Sequence, residues 1–308
     1  MRKTALETSA RLMKRATYAA VAVAALLIAA KIVAWLLTGS VSVLSSLLDS
    51  LLDIAASLLN LLAVRHAVTP ADREHRFGHG KAEPLAGLGQ SAFIAGSAAF
   101  LFIEVLHRAL SPEPVENSVV GIAIMVFSIV ITIGLVSYQR HVVARTGSLA
   151  ISSDELHYRS DIILNGSVIL SLVLASVFGW HFIDLLFGAA IGIWIVYSAW
   201  QVASRSLTQL MDREIPDEER ARIRAIALAH NEVTAVHDLR TRAAGPTAFI
   251  QLHIEMDGTM PLNRAHVVAD EVEARILEAF PNAEVIIHQD PAGVAEIRRT
   301  FPPTRQPA

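Results

Sequence analysis

A chain of 308 residues that is 53% hydrophobic and 18% charged, with a mean hydropathy of +0.45, is too apolar for one ordinary soluble domain. A net charge of −3 supplies no basic face to neutralise phosphates, which argues against a nucleic-acid partner. The lack of cysteine excludes a disulfide framework and any thiolate metal site.

The apolar residues lie in long runs before about residue 208, and the remainder reads as a soluble domain. The first 16 residues carry Arg2, Lys3, Arg11, Lys14 and Arg15 and read as a cytoplasmic segment. The run from Tyr18 to Leu37 is too long for a signal-peptide core and has no small-residue cleavage site after it, so a retained membrane helix is expected. Six stretches are long enough to cross a bilayer core of roughly 30 Å: about 17–38, 41–64, 85–108, 118–139, 153–178 and 182–205. Thr38-Gly39-Ser40, Ser111-Pro112-Glu113-Pro114 and Gly179 break the chain between them.

Basic residues set the expected orientation. Arg65, Arg73, Arg76 and Lys81 follow the second span, and Arg140 and Arg145 follow the fourth, whereas only Arg108 lies toward the opposite side. The positive-inside rule then places both termini in the cytoplasm of a multi-pass protein in the bacterial plasma (inner) membrane.

Beyond the transmembrane domain at 17–208, residues 209–290 predict an α-β-β-α-β domain. Pro216 followed by Asp217, Glu218 and Glu219 starts a helix reaching about His230. Residues 233–243 and 247–256 read as strands around a Gly245-Pro246 turn. Pro261 to Phe280 is an amphipathic helix with Ala265, Val268, Val272, Ile276 and Leu277 on one face, and Ala283 to His288 is a last strand. The Arg- and Pro-rich tail, 291–308, reads as loose chain. The fold class is thus a polytopic α-helical membrane protein of six transmembrane helices with a C-terminal α+β domain.

The chemistry is concentrated in the second and fifth spans. LLDSLLD, residues 47–53, stacks Asp49 and Asp53 on one helix face. Each mid-membrane Asp costs about 3 kcal/mol on insertion scales, so a pair in one span needs a functional reason. In the fifth span His157 and Asp161 repeat the i, i+4 spacing. Two such pairs facing each other offer three carboxylates and one imidazole, a tetrahedral N/O set suited to Zn²⁺ and tolerable for Fe²⁺ or Cd²⁺. Polar contacts between helices would be the blander explanation, but two matching spacings on two otherwise apolar helices are improbable by chance. In the loop after the second span, Asp72, His75 and His79 have spacings of three and four, compatible with a three-ligand Zn²⁺ site or with an ordinary solvated loop. Leu156, beside His157, suits either a hydrophobic gate over the site or core packing.

LLDSLLD, FGHGKAEPLA at 77–86, HYRSD at 157–161, VHDLRTR at 236–242 and VIIHQDP at 285–291 are together specific. Over nearly its whole length the chain resembles the cation diffusion facilitators, in particular the bacterial ferrous-iron and zinc efflux pumps. The resemblance implies a homodimer, a metallochaperone-like cytoplasmic domain, and transport of the metal through Asp49, Asp53, His157 and Asp161. It also implies a metal site in the loop of Asp72, His75 and His79. A binuclear site is implied at His237, His253, His288 and Asp290, with His266 completing or bridging it and Gln289 supporting it. It further implies a salt bridge between Lys81 and Asp212. No prosthetic group is expected. Zn²⁺ or Fe²⁺ would serve as substrate and as structural or regulatory ion in the cytoplasmic domain, with protons and the lipid bilayer as the other partners.

Charge suggests the mechanism. A dication and protons compete for the same buried carboxylates and imidazole, so alternating access would exchange metal for H⁺. The rival readings are a membrane-anchored metal sensor that does not transport and an intramembrane enzyme. The sensor leaves the intramembrane ligands unexplained. The enzyme lacks its signals, since neither H-E-x-x-H nor a Walker A sequence is present.

Overall fold

The computed structural model describes residues 2–38, 41–110, 119–178 and 183–294. Within the helices some side chains, that of Asp49 included, lie outside the described residues. Two compact units emerge, a helical one over Lys3–Met211 and an α+β one from Asp212–Ala243 and Thr247 onward.

The helical unit consists of α1 (Arg2–Thr38), α2 (Val41–Ala67), α3 (Ala82–Leu110), α4 (Val119–Thr146), α5 (Leu149–Phe178) and α6 (Ile183–Leu210). All but α5 contain a described stretch long and apolar enough to cross a membrane. The exception is the helix whose first half carries Asp154, Glu155, His157, Arg159 and Asp161. Leu62, Ile103, Ile193 and Trp200, each more than 60% exposed, point outward as lipid-facing side chains do.

Inside the bundle, α3 and α6 approach closely. A Cβ on Gly192 would sit 2.8 Å from the Phe102 ring, and one on Gly188 2.5 Å from Val105, so the Gly188-x-x-x-Gly192 spacing makes room for the contact. Ile94, Ala98, Ile191, Ile195, Ala199 and Val202 form an apolar layer there, with Leu156 packed against it. At the other end of the spans, Met13 and Ala16 of α1 pack with Val64, Val142 and Ile151. This packing explains why α1 begins at Arg2 rather than near residue 17. The basic segment continues the helix and buries an apolar stripe of its own.

Polar ties fix α5. Gln139 Nε2 donates to Asp154 Oδ2 at 2.6 Å and Arg140 Nε to Glu155 Oε1 at 2.8 Å, which joins α5 to α4. Ser57 and Tyr158 share a hydrogen bond of 2.7 Å, which joins it to α2. The buried Glu83 carboxylate of α3 accepts from Ser148 Oγ at 2.7 Å, at the N-terminal end of α5 where backbone N–H groups need acceptors.

The second unit follows the expected order: α7 (Asp217–Leu228), β1 (Ala235–Ala244), β2 (Thr247–Met256), α8 (Leu262–Ala279) and β3 (Ala283–Pro291). Pro216 precedes α7 and three acids fill its first turn, where the helix dipole favours them. The sheet order is β1-β2-β3. β2 and β3 run parallel, pairing His253 with His288 and Glu255 with Asp290. Leu252, Ile254, Met256 and Val285 face the core with Val268, Val272 and Ile276 of α8 and Ile223 of α7. Period-two alternation sends His253, Glu255, His288 and Asp290 to the other face. β1 breaks the alternation: Asp238 has a φ of 45°, and Val236 and Leu239 both reach the core. The irregular step leaves His237 and Asp238 together beside His253.

Candidate metal sites

Within the helical unit, α2 and α5 bring Asp53, His157 and Asp161 together. His157 Nε2 lies 3.2 Å from Asp53 Oδ1 and 3.9 Å from Asp161 Oδ2, so one ring nitrogen faces a carboxylate from each helix. The His157 side chain is 4% exposed, against 20% and 29% for Asp53 and Asp161. The carboxylates thus line a path toward the ring. Ser57, one turn beyond Asp53, and Tyr158, next to His157, carry the inter-helix hydrogen bond, so the ligand-bearing turns are held beside each other. Asp49 lies in α2 one turn before Asp53, and its side chain is outside the described residues.

The sequence reading assigned nothing to Lys31. This lysine is 8% exposed inside the apolar stretch of α1, and its Nζ donates to Ser50 Oγ at 2.6 Å and to Ser46 O at 2.9 Å on α2. An ionisable residue in a run of Leu, Ile and Ala was the available signal.

The loop between α2 and α3 gathers Asp72, His75 and His79. Asp72 Oδ1 accepts the backbone N–H of His75 at 2.7 Å and of Glu74 at 2.9 Å. These bonds hold its carboxyl below the usual carboxylate range, the His75 bond foremost. Asp72 Oδ1 is 3.4 Å from His75 Nδ1, and Oδ2 is 3.4 Å from His79 Nε2. His79 is buried, and its Nδ1 makes no hydrogen bond among the described residues. His66, at the end of α2 and given no role from sequence, stands edge-on to His79 with ring centroids 4.5 Å apart.

On the outer face of the second unit's sheet, Asp290 is 5% exposed and surrounded by imidazoles. Its Oδ2 lies 2.8 Å from His253 Nδ1 and 3.3 Å from His237 Nε2, and its Oδ1 3.1 Å from His288 Nε2. His237 is 8% exposed, and neither ring nitrogen makes a hydrogen bond among the described residues. A buried imidazole left so is costly unless something else binds it, and a metal ion suits both nitrogen and carboxylate. His237, Asp238 and His253 form one ligand group, and His253, His288 and Asp290 a second. Glu255, with Oε1 3.4 Å from His237 Nε2, adds a further carboxylate that sequence spacing did not flag. His266 stands apart on α8, 70% exposed and 3.5 Å from Asp270.

Leu156 joins the α3–α6 layer. Lys81 Nζ donates to the Gln209 carbonyl at 2.5 Å, at the C-terminal end of α6. Asp212 lies 3.5 Å from Arg242 Nη1.

Comparison with known proteins gives the same division of the chain. Residues 17–211 match the family model of the cation efflux transmembrane domain, and residues 215–292 that of the cation efflux protein cytoplasmic domain. The chain is 52% identical over 284 residues to the cation-efflux pump FieF of Escherichia fergusonii, covering 92% of this chain and 94% of that protein. It is 51% identical over 284 residues to the cation-efflux pump FieF of Klebsiella pneumoniae, with the same coverage of 92% and 94%. Among solved structures it is similar to the metal-bound C-terminal domain of the CzcD transporter from Thermotoga maritima, 30% identical over 26% of this chain and 93% of that chain, with a TM-score of 0.25.

Proposed function

Because the chain belongs to the cation efflux family, and is a transporter of divalent metals rather than an enzyme, we propose that it exports zinc or ferrous iron, with cadmium as a further substrate, from the cytoplasm in exchange for protons. The observation that carries this reading is the placement of His157 Nε2 against Asp53 and Asp161, on two helices of the transmembrane domain. Asp49, one turn along α2, is the fourth ligand in this reading.

The ligand set explains the exchange. In the metal-free site, the hydrogen bond between His157 Nε2 and Asp53 requires a proton on one of the two groups. A dication bound at that nitrogen takes its lone pair, and the proton must leave. Return of protons to the ring and the carboxylates lowers their affinity for metal and releases it on the far side. Each entering proton contributes roughly 2.3 kcal/mol per 100 mV of membrane potential.

Proteoliposomes holding the purified full chain test this. Zn²⁺ uptake should accelerate several-fold when a pH gradient drives protons the opposite way, and uptake should be accompanied by a counter-flow of H⁺ seen with a pH-sensitive dye. Flux that ignored both gradient and potential would remove the antiport. Absence of any flux would favour the membrane-anchored sensor.

The loop and the sheet face are, in the same reading, resident sites that respond to cytoplasmic metal. At the loop, Asp72, His75 and His79 hold one ion. At the sheet face, His237, His253, His288 and Asp290 hold a pair, with His266 reaching it from a second copy in a homodimer. For the loop, His79→Ala should lower bound Zn²⁺ by about one equivalent per protomer in equilibrium dialysis while transport persists. Unchanged stoichiometry would show that the loop holds no ion.

A further inference from the structure

We infer that Lys31 is a resident counter-charge of the transport site, and that it makes the metal-loaded site electrically neutral. The inference rests on the transport-site reading above and adds to it a residue of α1. The ammonium is set into the apolar core of a membrane helix, where a charge is costly unless a partner answers it. Its contacts are specific. Nζ reaches Ser50 Oγ at 2.6 Å and the Ser46 carbonyl at 2.9 Å, two positions one helical turn apart on α2. Asp49 falls between them in sequence, and Asp53 is three residues beyond Ser50, a neighbouring position on the helix surface. Lys31 is therefore placed against the turn of α2 that bears the carboxylate pair. A neutral side chain able to donate to Ser46 and Ser50 would tie α1 to α2 equally well, so the tie alone does not account for a charged one.

Counting charges gives the lysine a purpose. With Asp49, Asp53 and Asp161 ionised and His157 neutral, the ligands carry three negative charges. Lys31 reduces the sum to two, and a divalent ion brings it to zero. A neutral cluster is the form that a low-dielectric interior tolerates best while helices move around it. The fixed positive charge also repels the dication, which keeps binding weak enough for release. α4 contributes no charged side chain between Val119 and Gln139.

The test compares Lys31→Gln, which can still hydrogen-bond to α2, Lys31→Met and Lys31→Arg in the full-length protein. Direct Zn²⁺ binding by calorimetry and Zn²⁺ flux in proteoliposomes are the readouts. The neutral variants should bind Zn²⁺ at the transport site about tenfold or more tighter, because a nearby like charge is gone. KM should fall with the affinity, and maximal flux should fall at least as far. Lys31→Arg should restore both parameters toward those of the unmodified protein. Gln, Met and Arg variants that all lost flux with KM unchanged would reduce Lys31 to a mechanical tie and overturn the inference. So would neutral variants that failed to assemble while Lys31→Arg assembled normally. An Asp53→Ala arm separates the premises: undiminished flux there would strike the transport-site reading itself, whatever Lys31 does.

Discussion

Asp53→Ala is expected to abolish transport while leaving the fold and the cytoplasmic metal response in place. The carboxylate is one of two facing His157 Nε2 across the α2–α5 contact, at 3.2 Å. Removing a residue that merely supports a metal ligand costs 10–100-fold in affinity, so removing a ligand itself should lower the initial rate of Zn²⁺ uptake by about 100-fold or more. The helices do not depend on this pair for their packing. Ser57 and Tyr158 still join α2 to α5, and Gln139–Asp154 and Arg140–Glu155 still join α5 to α4. Gel filtration and circular dichroism of the variant should therefore match the unmodified protein. Removing an intramembrane carboxylate also removes its insertion cost, which works against any loss of stability. The variant discriminates between functions as well. A sensor that reads metal through the sheet-face histidines would keep its zinc-induced signal, because those ligands lie in the other unit. Uptake within tenfold of normal would show that Asp53 is not a ligand of the transported ion.

Most of the fold was legible because two different solvents leave two different patterns. In the bilayer, length and hydropathy are enough to find a span, and the six expected segments correspond to α1 through α6. What hydropathy measures is exposure to lipid, not helical conformation. The ends therefore moved outward wherever a helix continues into water, as α1 does at Arg2 and α4 does to Thr146. α5 carries Asp154, Glu155, His157, Arg159 and Asp161 in its first half, so a site built in a span makes that part of the span less apolar. In the second unit, the Gly245-Pro246 turn signal made β2 readable, and the expected 247–256 coincides with Thr247–Met256. β1 was less regular because Asp238 adopts a positive φ, and no alternation rule foretells which residue will be the exception.

The site divides along the same line. Ligands on one element at i, i+4 declare themselves, and Asp53, His157 and Asp161 do converge. Ligands supplied by three strands share no spacing, and only family resemblance pointed to His237, His253, His288 and Asp290. Glu255 and Asp238 join them through sheet register and a backbone irregularity, which are tertiary facts. Lys31 was visible as a lone charge in an apolar run. Its partner, one helix away, was not.

Asp290→Asn should remove about half or more of the zinc-induced stabilisation of the cytoplasmic unit. Asp290 is the acceptor around which His237, His253 and His288 are arranged, within 3.3 Å of a nitrogen of each. Asparagine keeps the shape but replaces a charged oxygen by an amide, which neither neutralises a cation nor serves as a strong ligand. A ligand present at a hundred times its dissociation constant stabilises the folded state by about 2.7 kcal/mol, which would raise the melting temperature of a unit this size by about 11–22 °C. Losing one ligand in the centre of the cluster should lower affinity by at least about tenfold and cut that rise by about half or more at the same zinc concentration. The measurement is differential scanning fluorimetry of the full chain carrying Asp53→Ala and His79→Ala, so that neither the membrane site nor the loop contributes. Chelator should return both proteins to their metal-free temperatures, Asp290→Asn by the smaller step. A zinc shift of full size in Asp290→Asn would mean that Glu255 and Asp238 suffice with the imidazoles. The ion would then sit toward β1 and away from β3, and the cluster around Asp290 would be an ordinary hydrogen-bonded patch.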